Sequence, residues 1–449
     1  MTLLNPLMLF GWVPFTIFLF FNLKPHHAVL VCVIGGTLFL SMAGYDLLGL
    51  PDYNKNTAIA LGLILGGRVS GKRQAVNFQV QIYDVPMLLW CLCPLATSIS
   101  NHLGIYDGLS GVWTNTMIWG IPYLSGRLYF TDQEKLRSLC MGLVIGGLIY
   151  LPLCLYEIRM SPQLSVNLYG FFPHSFIQHA RFGGFRPIVF MQHGLMVSLW
   201  MALTTTILFW LWRSGEIKHL KGFPVMLLFP AMVITTVLCK SVNGWVALAI
   251  GCFGYFCYRL SKSTLPFRLL LLAFPCYIFL RITGFLDANE IESLASHFFD
   301  AERILSLGIR LRQEDLFIVK AVQRFLLGWG GFDRAWPINP ETGRKAIEMI
   351  DSLWLIAFST NGLIGLVSLS SGMLLGPWMV LRSLSKQILT VEFSFIGPLV
   401  LSLVVVLFMI DSLMNGMVNP VYILISGALV CWRPATPLPN STVNVWKRD

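Results

Sequence analysis

The sequence predicts an all-α polytopic integral membrane protein with about 12–13 transmembrane helices and two long extracytoplasmic loops. Three observations predict it. The 449 residues are 55% hydrophobic and only 12% charged, with a mean hydropathy of +0.69, where a soluble domain carries about 25% charged residues. Apolar runs recur along the whole chain, many near the ~20 residues that a helix needs to cross the hydrocarbon layer. Basic residues fall in alternate connections between those runs, as cytoplasmic anchoring demands.

The candidate spans are Leu3–Phe21, Ala28–Leu48, Ala58–Gly67, Val85–Ile99, Val112–Phe130, Leu136–Tyr156, Ile188–Trp212, Phe223–Cys239, Trp245–Tyr258, Leu265–Gly284, Ser352–Leu381, Phe393–Ile410 and Met417–Trp432. The third is short and glycine-rich. The last two suit a tight hairpin around Asp411–Gly416. The first run has no basic segment before it and reads as a span, not a cleavable signal.

Charge orients the set. With the N-terminus outside, the inside connections carry Lys24; Arg68, Lys72 and Arg73; Arg127, Lys135 and Arg137; Arg213, Lys218 and Lys221; Arg259, Lys262 and Arg268; Arg382 and Lys386; and Arg433, Lys447 and Arg448. The short outside connections hold only Lys55 and Lys240. The net charge of +10 is thus anchoring charge. No basic, aromatic-interleaved soluble module exists, so nucleic acid is not an expected partner. The triplet Asn440–Thr442 falls on the predicted cytoplasmic tail and is discounted as a glycosylation site.

The ten cysteines lie almost entirely in apolar runs, and the long polar stretches have none. That argues against a disulfide framework and against a zinc site, Cys91 and Cys93 included. No metal-ligand cluster is visible in the sequence.

Two long connections, residues 157–187 and 285–351, fall outside. The second opens with an acidic helical stretch, Asp287–Glu302, and continues as a basic amphipathic one, Leu307–Leu327. Loops of this length in a compact protein are usually functional. Polar residues at span ends point the same way: His193, Lys240, Arg281, Asp351, Asp411 and Asn415 all sit at the outer side. Each alone is readable as an interfacial residue; together they favour a polar cavity opening outward.

The long connections carry Arg159, Arg181, Arg186, Arg303, Arg310, Arg312, Lys320, Arg324, Arg334, Arg344 and Lys345, with about as many acids, so a mixed solvated surface is the plain alternative. Placement is more telling. Arg181 and Arg186 flank a glycine turn, "HARFGGFRP", and Arg310 and Arg312 begin an amphipathic helix ending in "LLGWGGFDRAW". Guanidinium groups bind phosphate oxygens bidentately, and glycine lets a ligand approach the backbone. Arginine clusters beside a membrane cavity suit a phospholipid-type or polyprenyl-pyrophosphate substrate.

Three stretches resemble the O-antigen ligase and polymerase superfamily of bacterial membrane glycosyltransferases: "RFGGFRPIVFMQHGLMVSLWM" (Arg181–Met201), "RLRQEDLFIVKAVQRFLLGWGGF" (Arg310–Phe332) and "DSLWLIAFSTNGLIGL" (Asp351–Leu366). Their order and loop placement are more specific than any one of them. The resemblance implies a metal-independent, inverting enzyme of the C-type class in the bacterial inner membrane, needing no cofactor. Such an enzyme takes a glycan from undecaprenyl pyrophosphate on the extracytoplasmic face and extends an O-antigen or exopolysaccharide, with membrane lipid and a chain-length regulator as further partners. Arg310, with Arg181 or Arg186, would hold the pyrophosphate, and Arg312, His193, Lys240, Arg281 and Trp329 would line the substrate site.

One departure matters: the ligases carry His-Asn where this chain has Asp351-Ser352. Polymerase-like relatives tolerate an acid there. A polymerase is therefore favoured over a ligase that transfers glycan to lipid A core. Asp351 would act as general base for an acceptor hydroxyl, or cap the following span, or both. Trp329, Phe332 and Trp336 would stack on sugar faces or anchor at the interface. A transporter or flippase, a membrane protease and a non-enzymatic scaffold remain rival readings. The protease lacks a cysteine outside the spans, and the chain shows no internal repeat of the kind transporters carry.

Overall fold

The computed structural model describes residues 1–47, 49–71, 79–181, 183–297, 301–339, 341–346, 350–385 and 393–433. Among the predicted features, Leu48, Lys72, Arg73, Lys386, Lys447, Arg448 and the triplet Asn440–Thr442 lie outside the described residues, as do the side chains of Arg181, Arg303 and Phe332.

The chain is an all-α bundle. Its helices are α1 (Leu4–Asn22), α2 (Pro25–Leu30), α3 (Gly36–Phe39), α4 (Lys55–Val69), α5 (Val85–Ser100), α6 (Ile105–Asn115), α7 (Ile121–Tyr129), α8 (Gln133–Met160), α9 (Leu164–Tyr169), α10 (Gly194–Arg213), α11 (Val225–Leu238), α12 (Val242–Ser261), α13 (Leu265–Ile282), α14 (Ala288–Ala295), α15 (Ala301–Val322), α16 (Leu353–Leu384), α17 (Phe393–Asp411) and α18 (Pro420–Cys431). A π-turn joins α2 to α3 and another joins α6 to α7, so each pair forms one rod. Strands are confined, among the described residues, to three two-stranded hairpins.

Each of the thirteen predicted spans overlaps a helix or a jointed rod, but the second ends at Phe39, with Tyr45–Leu47 in a hairpin strand instead, and the seventh becomes helical only at Gly194. Among the described residues, six helices are long and apolar enough to cross a membrane: α1, α5 with the turn before it, α8, α10, α13 and α16. The rods α2–α3, α11, α17 and α18 are apolar but shorter. The protein is a polytopic membrane protein.

Burial follows the sequence pattern. Helix α10 has no charged residue before Arg213 and is buried nearly all round, the hydroxyls of Thr204, Thr205 and Thr206 donating to carbonyls of its own preceding turn. It packs on α8, α11, α12 and α17. Helices α7 and α18 approach most closely through glycine. A Cβ on Gly126 would overlap the Leu424 carbonyl, and one on Gly427 the Tyr123 carbonyl, so only hydrogen lets these backbones touch.

Helix ends sort to two poles. At one pole the side chains of Asp84, Arg127, Glu134, Arg137, Glu216 and Arg268 tie neighbouring connections together. At the other gather the 161–193 connection, the 283–352 connection and the α17–α18 turn. The first long connection begins later than expected because α8 runs on to Met160. Glu157 therefore lies inside a helix, fully buried, accepting the amides of Leu164 (2.9 Å), Ile188 (2.8 Å) and Val189 (2.7 Å). One carboxylate thus pins both ends of that connection.

The main departure from a simple rod is in α16. At Gly362 the backbone leaves the helix (φ 64°, ψ −166°), about 14 Å along the axis from Leu353 at 1.5 Å per residue. Helical hydrogen bonds cannot cross such a break. The segment after α15 replaces them: the amides of Trp329 and Gly330 donate to the carbonyls of Ser359 and Thr360 (both 2.9 Å), and the amides of Leu363 and Ile364 donate to the carbonyls of Phe325 (2.7 Å) and Leu326 (3.3 Å). Asn101 Nδ2 on α5 donates to the Gly328 carbonyl (3.0 Å). Irregular backbone within a span persists only where protein or a cavity satisfies it, and here protein does.

Candidate functional site

Helix α15 is amphipathic and lies across the pole that carries both long connections. Two buried groups hold it in place. Arg281, at the end of α13, has its side chain wholly buried and stands 3.4 Å from Glu314 Oε2 and 2.9 Å from Asp315 Oδ1. Its guanidinium also donates to the carbonyls of Leu286 and Leu311 (both 3.0 Å). Glu314 in turn accepts from Tyr277 Oη (3.0 Å) and from Ser352 Oγ. Burial pushes the Glu314 carboxyl above its ordinary range, while Ser352, Arg281 and Tyr277 oppose the shift. These contacts lock α15, α13 and the start of α16 to one another.

Arg310 lies one helical turn before Glu314, on the same face of α15. Its guanidinium meets Asp351 Oδ2 at 3.3 Å and donates to the Met414 carbonyl at 3.5 Å. Arg310, Gln313, Glu314, Ile350, Asp351, Ser352 and Met414 line one small cavity. The Arg310 and Asp351 side chains stay 35% and 37% exposed, so the pair is reachable, whereas Glu314 behind it is buried. The α17–α18 turn closes the cavity: the Leu353 amide donates to the Ser412 carbonyl (3.1 Å), and Asp411 accepts from Asn415 (2.9 Å) and from Asn243 on α12 (3.1 Å).

The first long connection reaches the same region. Its Arg186 is 7% exposed, donates to the Lys240 carbonyl (2.8 Å), and packs its methylenes against Gly194. His193 caps α10, accepting the Leu195 amide at 3.1 Å. The rings of His174 and His179 lie 5.4 Å and 5.2 Å from that of His193. All three imidazoles are held below the ordinary histidine value, chiefly by burial, His179 to about 4 and His193 to about 3. The Arg310 charge contributes to the shift of His193, and the Asp351 charge acts on His174, so the two connections meet around one polar region.

The remaining predicted residues have different surroundings. Arg281 is consumed by its buried ion pairs and acts as a strut. Arg312 pairs with Glu292 of α14 (3.1 Å) and faces outward. Lys240 sits in a left-handed turn after α11 (φ 53°), its ammonium against Gly184. Trp329 donates its indole N–H to the Lys320 carbonyl (2.8 Å) and lies under the Lys320 ammonium (3.8 Å) and the Arg324 guanidinium (5.2 Å), so part of its ring is already covered. Trp336 is buried edge-on to Phe317. Of Arg181 only the backbone is described, paired with Gly184 in a hairpin.

Sequence reasoning missed Glu314, His174 and His179. Glu314 lies within a charged amphipathic stretch where an acid reads as solvated. Its spacing of four from Arg310 was the available signal. Among the described residues no group of three His, Cys, Asp or Glu side chains is disposed to hold a metal ion.

No protein-family model and no curated protein matches the chain.

Proposed function

We propose that the Arg310–Asp351 cavity is the active site of a glycan polymerase that transfers sugar repeats from a polyprenyl-pyrophosphate carrier. It would act in the bacterial cytoplasmic membrane, facing outward. The observation that carries this reading is the reachable Arg310–Asp351 pair at the end of a membrane bundle, backed by the buried Glu314. The resemblance of Arg181–Met201, Arg310–Phe332 and Asp351–Leu366 to the O-antigen ligase and polymerase superfamily supplies the donor class.

The chemistry follows from the pair. Without donor, Asp351 neutralises Arg310. A pyrophosphate, with more charge and more oxygens, competes for the guanidinium and releases the carboxylate. Asp351 then takes the proton of an acceptor hydroxyl as that oxygen attacks the anomeric carbon. The bond from that carbon to the phosphate oxygen breaks with inversion, and the polyprenyl pyrophosphate leaves with the electron pair. Arg310 stabilises the charge that develops on the leaving phosphate.

The α16 break favours a second reading, a transporter, because broken helices often build transport sites. Here Phe325–Gly330 fills the break with its own backbone. The carbonyls of Ser359 and Thr360 are thereby taken, which counts against a solute site at that depth.

Surface-glycan electrophoresis of a deletion strain tests the proposal. Wild-type chain should restore a polymer ladder and Arg310→Ala should leave single repeats on the carrier. Unchanged glycans in the deletion strain would overturn it and make transport the leading reading.

A further inference from the structure

Helix α15 carries two apolar faces, and the bundle covers only one. Leu311, Phe317, Ile318 and Ala321 are buried against the protein. At 3.6 residues per turn, Leu305, Ile309, Leu316 and Val319 form a row on the other side, about 21 Å long at 1.5 Å per residue. All four are between 49% and 67% exposed. A surface helix in water turns a polar face outward. An apolar row of this length left open marks an interaction surface.

The depth of α15 favours lipid over a second protein as the cover. Its middle is clasped from the side by the last two turns of α13, a helix long and apolar enough to span: Tyr277 Oη donates to Glu314 (3.0 Å), and Arg281 donates to the Leu311 carbonyl (3.0 Å). The segment after α15 is held by Asn101, the residue that follows α5, another such helix. A Cβ on Gly330 would meet the Thr97 side chain, inside α5 itself. Helix α15 thus runs level with the ends of two spans, where headgroups lie, and does not stand off in solvent. The apolar exposure is continuous across the junction. Leu269 and Phe279, which α13 turns outward along its length, are 61% and 60% exposed, and Phe285, just beyond its end, is 73% exposed.

The charge pattern fits the same boundary. The one charged member of the row, Arg312, turns its guanidinium away to Glu292 of α14 (3.1 Å). Long basic side chains at a membrane surface snorkel in this way, with the stem in the apolar zone and the head in the polar one.

We infer that the face of α15 formed by Leu305, Ile309, Leu316 and Val319 is a lipid-binding surface, seated at the boundary of headgroups and acyl chains in the leaflet on the side of the long connections. The second long connection is then in part an interfacial helix and not a loop in solvent. Arg310 and Glu314 project from the opposite side of α15 toward the bundle, which places their cavity at headgroup depth. This surface does not depend on the polymerase reading.

The experiment places a photoreactive residue on the row. Full-length protein carrying p-benzoylphenylalanine in place of Leu316, or of Val319, is reconstituted in nanodiscs of phosphatidylglycerol and phosphatidylethanolamine, irradiated and weighed intact. Phe279 is the lipid-facing reference, and Thr342, exposed in the polar turn between Asn339 and Arg344, is the solvent reference. Both test positions should gain the mass of one phospholipid with a yield near that at Phe279 and severalfold above that at Thr342. Adducts to a second copy or to no partner, or yields no higher than at Thr342, overturn the surface. Hydroxyl-radical footprinting of the wild-type protein in the same discs gives a reading that no variant can disturb. Leu316 and Val319 should be as protected as Phe279, and ready oxidation of either overturns the inference.

Discussion

Arg281 and Glu314 form a buried ion pair, 3.4 Å apart, that joins a membrane-spanning helix to the helix carrying Arg310. Neither group can be left alone in its site. Glu314→Ala strands the Arg281 charge with only Asp315 opposite it, and a broken buried pair typically costs about 3–5 kcal/mol. The expected outcome is a lower yield of monodisperse protein and a melting temperature lowered by many degrees. The double variant Arg281→Met/Glu314→Leu should recover most of that loss. Fluorescence-detected size exclusion with thermal challenge measures both, and equal loss in the single and double variants would refute the coupling.

Asp351 and Arg310 share a contact but differ in role, so their variants should separate. Asp351→Asn removes the internal competitor for Arg310. Carrier pyrophosphate should then bind as tightly as in wild type or severalfold tighter, while turnover falls by about 10²–10⁴, the usual worth of a general base. Arg310→Ala should lose binding and turnover together. Arg310→Lys should keep part of both, since a point charge replaces a bidentate fork. Donor binding and polymer synthesis, measured on the same preparations, check the split.

Gly362 should tolerate no side chain. Its backbone region is almost exclusive to glycine and costs any other residue about 1–3 kcal/mol. A Cβ there would also strike the backbone of Leu326, which must stay to hydrogen-bond the break. Gly362→Ala should therefore give aggregated protein on solubilisation. Gly142→Ala on α8 is the control, because its Cβ meets only side-chain atoms at 3.4 Å and beyond. Equal size-exclusion profiles for the two variants would count against the docked break.

Stability should fall on mild acidification. His179 is neutral in the fold, depressed to about 4, while the unfolded chain titrates near 6.5. Between those values the unfolded state binds a proton that the folded state refuses, so stability present at pH 7 drains away as pH falls through 6.5 toward 4. His193 acts in the same direction. The slope approaches about 1.4 kcal/mol per pH unit for each such histidine. Melting curves at pH 7.5, 6 and 5 should show the decline, with a shallower one in His179→Gln.

Much of the fold was legible because a bilayer imposes length and hydropathy on every crossing. The ends were less so. The fifth span was expected from Val112, yet α6 begins at Ile105; Glu157 and Arg159 read as loop, yet α8 includes both. At Glu157 the amides of Leu164, Ile188 and Val189 override composition. At the candidate site, Asp351 and His193 stood out from their place at span ends, and Arg310 and Arg186 from the arginine-bearing motifs of the two long connections. The role of Arg281 was not. A lone arginine near a span end reads as substrate-facing until its acidic partners, more than thirty residues away, are brought beside it. The glycines of "LLGWGG" and "STNGLIGL" were noticed as separate motifs. Nothing in one-dimensional spacing says that one segment completes the hydrogen bonds of the other.

That complementarity constrains biogenesis. Phe325–Gly330 leaves the ribosome before Gly362, so the patch exists before the helix that needs it. Until the two meet, α16 would sit in lipid with unmet amides and carbonyls, each costing several kcal/mol. Release of α16 into the bilayer is thus best delayed until α15 and the segment after it have docked on α5. A chain truncated shortly after Leu384 should already contain every group required to mend its own broken helix.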